Sequence, residues 1–380
     1  MIKTKNILFF IGYAISKDNN RGVCGPEIRY LEVCKIIGSK QSAINIIVIY
    51  PYCGSLFDEF KKLDNKNIIN LIAYSPKTKF DYFKILYKVL KKNEVDIIHC
   101  QGPHFFDAIT VILGKLFSVK TIITRPINIS QDHITNLKKI IFYISDQVFI
   151  KKADCLVAIS QTHKNIWRKE LDCRINKKLD KKMKIVYNGI DLYKFNRNNI
   201  QKKDNKIIFT IIAQLTPVKG HELLFKAAKM LIDDGYSFQI DIVGDGPLRK
   251  KLENFCKENN INKVIRFYGF TKNVNIILSK SDVVILPSLR EGLALALLEG
   301  LSMGCPLIAT DVGASKELVQ NNVNGFLIRK NNIKDIYEKM KYFICFPESI
   351  ITMGNASKKM AYKYDIKKMA KEYLKIYLTV

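Results

Sequence analysis

The strongest constraint in this sequence is a recurring alternation. Short, mainly apolar runs rich in β-branched residues are separated by longer stretches with helical spacing. The runs are Ile7–Ile11, Ile44–Tyr50, Val95–His99, Lys120–Thr124 and Cys155–Ile159. They resume at Ile207–Ile212, Gln239–Val243, Ile265–Tyr268, Val283–Leu286 and Pro306–Ala309. Runs without polar alternation suit strands covered on both faces, and strands separated by helices build parallel sheets. Between the two series, 196–206 is polar and charged with no apolar period, so it reads as a linker. The chain therefore predicts an α/β protein of two domains, 1–195 and 207–357, facing each other across a cleft. A helical tail over 358–380, with Tyr362, Tyr364, Tyr373 and Tyr377, is expected to pack back toward the first domain.

Several classes are excluded early. No run approaches the ~20 apolar residues of a membrane span, and the nearest, Ile140–Ile150, is broken by Asp146. Ile7–Ile11 reads as a buried strand rather than a secretory leader, because its apolar part is short. Nine cysteines without a C-x-x-C pair argue for a reducing cytosol and against a disulfide or metal framework. The net charge is +27. Such a surface suits anionic substrates or an anionic membrane, and an AT-rich genome also produces lysine in excess. No nucleic-acid-binding signature accompanies the charge, so no specific nucleic-acid partner is expected. A helix over Asn136–Lys152, apolar at Ile140, Ile141, Ile144 and Val148 with basic ends, has two readings, a contact with a membrane surface and the commoner packing on the sheet.

The chemistry-bearing stretch is Asp282–Gly304. Val283–Leu286 is a short buried strand stopped by Pro287. Leucines and alanines from Leu293 onward favour helix. Glu291 then lies in the loop at the strand's carboxyl end, where ligands bind in open α/β sheets. Gly292 sits just before a helix start, where free N–H groups and the helix dipole favour anions. Glu299 lies one to two turns into the helix among Leu297, Leu298 and Leu301. A carboxylate there needs a partner, and hydroxyls suit it better than phosphate does. In the first half, Gly22 and Gly25 between a strand and a helix repeat the layout of a nucleotide-binding first unit. The strand exits carry His99, His104 and Arg125.

LPSLREGLALALLEGLSMGCPLIATDVGASKELVQNNVNGFLI closely resembles the signature of family 4 retaining glycosyltransferases, which have the GT-B fold of two facing Rossmann-like domains. AQLTPVKGHELLFKAAKML, VGDGPLRKKLE and VYNGID match further, and the first half matches loosely through Gly22, Gly25 and IIHCQGPH. The resemblance implies that Glu299 binds the ribose of a nucleotide-sugar and Glu291 the sugar's hydroxyls. It implies that the backbone at Gly292, Leu293 and Ala294, with Lys219, holds the diphosphate, and that Gln214 and Gly244 line the donor. No D-x-D occurs, which fits a metal-free site. Catalysis would be stabilisation of the departing phosphate, with retention.

Three positions depart from the family's pattern. Gln214 stands where arginine is usual, Leu293-Ala294 replaces Phe-Gly, and Arg125 occupies the place of a histidine. His99 and His104 are the remaining candidates for a base. The implied function is transfer of a sugar from a UDP- or GDP-sugar, without cofactor, to a glycan or lipid-linked acceptor in lipopolysaccharide or capsule synthesis. The implied place is the cytoplasm, peripheral on the inner face of the plasma membrane. The rival readings are a nucleotide-sugar epimerase of the same fold and a non-catalytic basic module binding membranes or polyanions.

Overall fold

The computed structural model describes residues 4–11, 25–39, 43–51, 56–75, 78–101, 104–124, 150–170, 177–197 and 206–380. The chain divides into two compact units, Met1–Asn188 with Lys367–Val380, and Gly189–Ile366.

The first unit holds seven parallel strands: β1 Lys5–Ile11, β2 Ile44–Pro51, β3 Asn70–Tyr74, β4 Ile97–Gln101, β5 Lys120–Thr124, β6 Cys155–Ala158 and β7 Met183–Ile185. Their order is β3-β2-β1-β4-β5-β6-β7. Leu8, Phe10, Ile98, Cys100, Ile123 and Leu156 pack one face against Tyr82, Leu86 and Phe106 of helices Lys79–Lys92 and His104–Leu116. Helix Lys79–Lys92 starts at a capping box, in which the Thr78 amide donates to the Asp81 carboxylate at 2.6 Å. β3 was not anticipated from the sequence: its residues are only half-buried at the sheet edge, so they lack the uniform apolar run of the inner strands.

The second unit holds six parallel strands: β8 Ile207–Ile212, β9 Phe238–Val243, β10 Ile265–Gly269, β11 Val283–Leu286, β12 Leu307–Thr310 and β13 Gly325–Ile328, in the order β10-β9-β8-β11-β12-β13. Both sheets therefore run outward from their first strand and then reverse, the doubly wound Rossmann arrangement. Helix Ile333–Cys345 follows β13, its first turn capped by Asn332, whose side chain accepts from the Asp335 amide at 2.9 Å.

Two boundaries differ from the sequence expectation. The chain leaves the first unit after Asn188, not at 195, because 189–197 are pinned to the second. Ser302 Oγ donates to the Phe195 carbonyl at 2.7 Å, and Arg197 Nε donates to the Ser279 carbonyl at 3.2 Å. The tail does not begin at 358. Helix Glu348–Ala361 belongs to the second unit, a 3-10 turn Tyr362–Tyr364 breaks it, and helix Ile366–Thr379 runs into the first. There Tyr373 and Tyr377 are fully buried, and Lys5 Nζ donates to the Tyr377 carbonyl at 2.9 Å. Of the helix expected over Asn136–Lys152, only Ile150–Lys152 is described, as a 3-10 turn. Most of the expected linker likewise lies outside the described residues. Among the described residues no helix is long and apolar enough to cross a membrane.

Candidate active site

In the second unit the strand order reverses between β8 and β11. Ligands bind outside the carboxyl ends of strands at such a reversal. Four loops leave those ends, and the backbone ties them to one another. The Ala213 amide donates to the Val243 carbonyl at 3.0 Å, and the Leu215 amide to the Asp245 carbonyl at 3.0 Å. These bonds join the β8 and β9 loops. The Gly244 amide donates to the Gly269 carbonyl at 2.8 Å, extending the tie to β10.

The β8 loop is fixed to the β11 loop by close contact. Pro217–Lys219 forms a 3-10 turn that ends at Gly220, with φ at 73°. A side chain at Gly220 would put its Cβ 2.1 Å from the Pro287 carbonyl oxygen. Only glycine combines that dihedral with that approach. Beside it, the Leu289 amide donates to the Val218 carbonyl at 2.7 Å. This clamp sets Lys219 against Glu291: Nζ lies 2.7 Å from Oε1, with the lysine side chain 27% and the glutamate 8% exposed. Two residues singled out separately in the sequence thus form one ion pair at the reversal.

The β12 loop closes the other side. Gly313 has φ at 56°, and a Cβ there would lie 1.9 Å from the Glu291 carbonyl oxygen. The Ala314 amide donates to the Gly292 carbonyl at 2.9 Å. Glu291 and Gly292 are therefore held from both neighbouring loops, a preorganised position for a group that must meet a ligand.

Helix Leu295–Ser302 opens with Ala294 as its N-cap and no side-chain cap. Its first amides thus keep their capacity for an acceptor. Leu293 and Ala294 are buried. Glu299 follows at the fifth helical position, beside fully buried Leu297, Leu298 and Leu301. Burial pushes its carboxyl up to about 7, and the Lys194 charge pulls the other way. Among the described residues, no hydrogen-bond donor meets that carboxyl. Gln214 is exposed, its carbonyl accepting from the Thr216 amide at 2.8 Å.

Sequence reasoning missed His221, the first residue of helix His221–Asp233. It is buried directly after Gly220, and desolvation with the nearby Lys219 charge lowers it to about 4. It is therefore neutral at physiological pH and adds no charge beside Lys219. Its place right after Lys219-Gly220, at the head of an apolar helix face, was the available signal.

The first unit corrects one candidate. His99 is fully buried in β4, its Nδ1 2.8 Å from Tyr377 Oη and its Nε2 2.8 Å from Thr124 Oγ1. Tyr30, Tyr373 and Phe9 pack around its ring. Burial, and then the Arg29 charge, hold it well below the usual histidine range. With both nitrogens engaged in a dry core, His99 is a structural histidine and not a base that meets an acceptor. Gly25 opens helix Gly25–Gly38, and His104 opens helix His104–Leu116, its side chain lying outside the described residues. Gly22 and Arg125 also lie outside them. Among the described residues no group of three or more His, Cys, Asp or Glu side chains is arranged to hold a metal.

Comparison with known proteins agrees with this architecture. A family model described as glycosyl transferases group 1 matches residues 193–360, and one described as Glycosyltransferase Family 4 matches 45–194. The chain is 31% identical over 265 residues, 65% of its length and 66% of the relative's, to an Escherichia coli UDP-Gal:alpha-D-GlcNAc-diphosphoundecaprenol alpha-1,3-galactosyltransferase. It is 26% identical over 163 residues, 41% of this chain and 40% of the other, to the putative colanic acid biosynthesis glycosyltransferase WcaL of Escherichia coli K12. Among solved structures, Anabaena Alr3699/HepE in complex with UDP-glucose superposes with a TM-score of 0.78 at 15% identity, covering 99% of this chain and 100% of that one.

Proposed function

Since the chain is a glycosyltransferase of the GT-B fold, related to family 4 and group 1, we propose that it moves a sugar, with retention, from a UDP- or GDP-sugar to a lipid-linked glycan in cell-surface polysaccharide synthesis. The observation that carries this reading is the Lys219–Glu291 pair held at the strand reversal beside an uncapped helix start. The galactosyltransferase relative, which acts on a diphosphoundecaprenol-linked sugar, supports the acceptor class. The colanic acid relative supports the polysaccharide context.

In this reading the donor's diphosphate takes Lys219 and the first amides of helix Leu295–Ser302. Glu291, released from the lysine, accepts hydrogen bonds from the sugar's hydroxyls. Glu299 accepts from the ribose hydroxyls, which supplies the partner its carboxyl lacks. The bond from the anomeric carbon to the diphosphate oxygen breaks as the acceptor oxygen bonds to that carbon from the same face. The acceptor's proton passes to the departing phosphate. The protein's part is to stabilise charge on that phosphate, and Lys219 is the group that does so. The family's usual arginine at Gln214 is absent, so Lys219 carries more of that load.

The test is a thermal-shift screen of nucleotide-sugars followed by transfer with the best binder onto a polyprenyl-diphosphate-linked sugar. Nucleoside diphosphate released only when acceptor is present supports transfer. Release or sugar inversion without acceptor would place the protein with the epimerases of the same fold.

A further inference from the structure

The first unit has a strand reversal of its own, between β1 and β4. Two buried polar side chains stand there with unused hydrogen-bonding atoms. Helix Gly25–Gly38 follows β1 and leads back to β2, so its first turns lie at the carboxyl ends of the parallel strands. Arg29, in the second turn, is 4% exposed. Its Nη2 donates to Asn188 Oδ1, while Nε and Nη1 meet no partner among the described residues. Among those residues no carboxylate forms an ion pair with it either. Glu27, two positions earlier, accepts from Tyr50 Oη at 3.0 Å, and residues two apart on a helix do not face each other. Gln101 ends β4 and is fully buried, and neither its Oε1 nor its Nε2 has a partner among the described residues. Strand alternation puts Gln101 on the face of His99, two residues back. Tyr30 packs on the His99 ring at 4.9 Å, and the Arg29 charge acts on the same ring. Arg29 and Gln101 therefore share one corner of the first unit.

Such a corner is costly for the chain alone. A guanidinium taken out of water needs a counter-charge and acceptors, and a buried primary amide without bonds has lost its hydration for nothing. His99, in the same strand, shows the contrast, with both ring nitrogens engaged. The group that satisfies these four atoms must be small and anionic, and it must offer acceptors together with one hydroxyl. A phosphate does so. Its oxygens accept from the remaining guanidinium N–H groups, a charge-assisted contact, and from Gln101 Nε2. Its own P–OH, or a hydroxyl of the sugar it is attached to, donates to Gln101 Oε1. An ionised carboxylate brings no donor for Oε1, and neither does sulfate at neutral pH.

We propose that Arg29 and Gln101 hold a phosphate group at the strand reversal of the first unit, in addition to the diphosphate site of the second. Two sources offer that group: free phosphate, and the diphosphate of the lipid-linked acceptor, which rests on the function proposed above. The full chain is melted in phosphate-free buffer, then with inorganic phosphate, with sulfate at equal ionic strength, and with a short-chain polyprenyl-diphosphate-linked sugar. Phosphate is expected to raise the parent's midpoint by several degrees more than sulfate does. The rise is expected to persist in Lys219→Ala and to vanish in Arg29→Gln. Without phosphate, Arg29→Gln is expected to melt at or above the parent, since it removes a buried charge and keeps an amide for Asn188. Gln101→Met is expected to fold as the parent does and to lose the preference for phosphate over sulfate. A parent indifferent to phosphate overturns the proposal, as does a rise that survives Arg29→Gln or disappears in Lys219→Ala. An Arg29→Gln chain that melts lower or does not fold makes the arginine a brace for the core and overturns it too, and so does an unchanged preference in Gln101→Met. A rise with the lipid-linked sugar that depends on Arg29 supports the site with the acceptor as its source, and a rise with inorganic phosphate alone supports it with the free anion. Failure of the acceptor reading would abolish transfer and leave the phosphate rise intact, so the two failures are told apart.

Discussion

Glu299 follows fully buried Leu297 and Leu298 on helix Leu295–Ser302, and burial moves the titration of its carboxyl from 4.5 up to about 7. Folded, it holds its proton to higher pH than the unfolded chain does. The stability this confers is complete below pH 4.5 and is lost as pH rises through about 7, a change of at most about 3 kcal/mol. Glu299→Gln is therefore expected to raise the thermal midpoint above pH 7 and to flatten its pH dependence between 4.5 and 7. The same variant is expected to lose the stabilisation that a nucleotide-sugar gives the parent. Melting curves across pH, with and without UDP-sugar, read both effects. Lys219 makes a simpler case. Lys219→Ala is expected to cut kcat/KM by about 100-fold or more, the scale of losing one group that stabilises a developing anion, and to lower the thermal midpoint, because the nearly buried Glu291 carboxylate loses its partner. Lys219 was singled out only through the family resemblance, whereas the helix that carries Glu299 was legible in the sequence from its leucine-rich pattern. His99 was misread for the opposite reason. Its partner Tyr377 lies 278 positions away, and no local pattern reports that a strand-end histidine is sealed by a distant helix.

At the scale of elements, the site depends on loops that touch through backbone rather than side chains. Gly313→Ala would press a Cβ onto the Glu291 carbonyl and must move that residue. It is expected to lower the thermal midpoint by several degrees and to cost activity even though the substituted position touches no ligand. A competing outcome, normal activity with a normal midpoint, would show that the β12 loop does not position Glu291. The inner strands were readable because they are mostly apolar and β-branched. β3, half-buried at an edge, was not. Helices Ile333–Cys345 and Glu348–Ala361 were also unanticipated, and the break at Tyr362–Tyr364 carries neither proline nor glycine to announce it. That break places Tyr364 Oη against the Glu317 carbonyl at 2.9 Å, a tertiary contact that overrides helical propensity.

For the molecule as a whole, the two sheets repeat one strand order without a detectable sequence repeat, so the architecture is fixed by periodicity and connection rules more than by particular residues. The exception is the segment Lys367–Val380, which completes the first unit from the far end of the chain. Tyr377→Phe removes the hydroxyl that meets His99 Nδ1 and leaves that nitrogen buried alone. It is expected to cost about 1–3 kcal/mol, measured by chemical denaturation. The order of synthesis gives this segment a further consequence. The ribosome makes Lys367–Val380 only after all of 189–366. Until then the first unit has emerged with Phe9, Tyr30 and His99 uncovered, and it cannot finish folding as an independent early domain. The second unit is complete by Ile366 and takes nothing from that segment. A chain truncated after Ile366 is accordingly expected to show a protease-resistant second unit beside a first unit that is still open to cleavage.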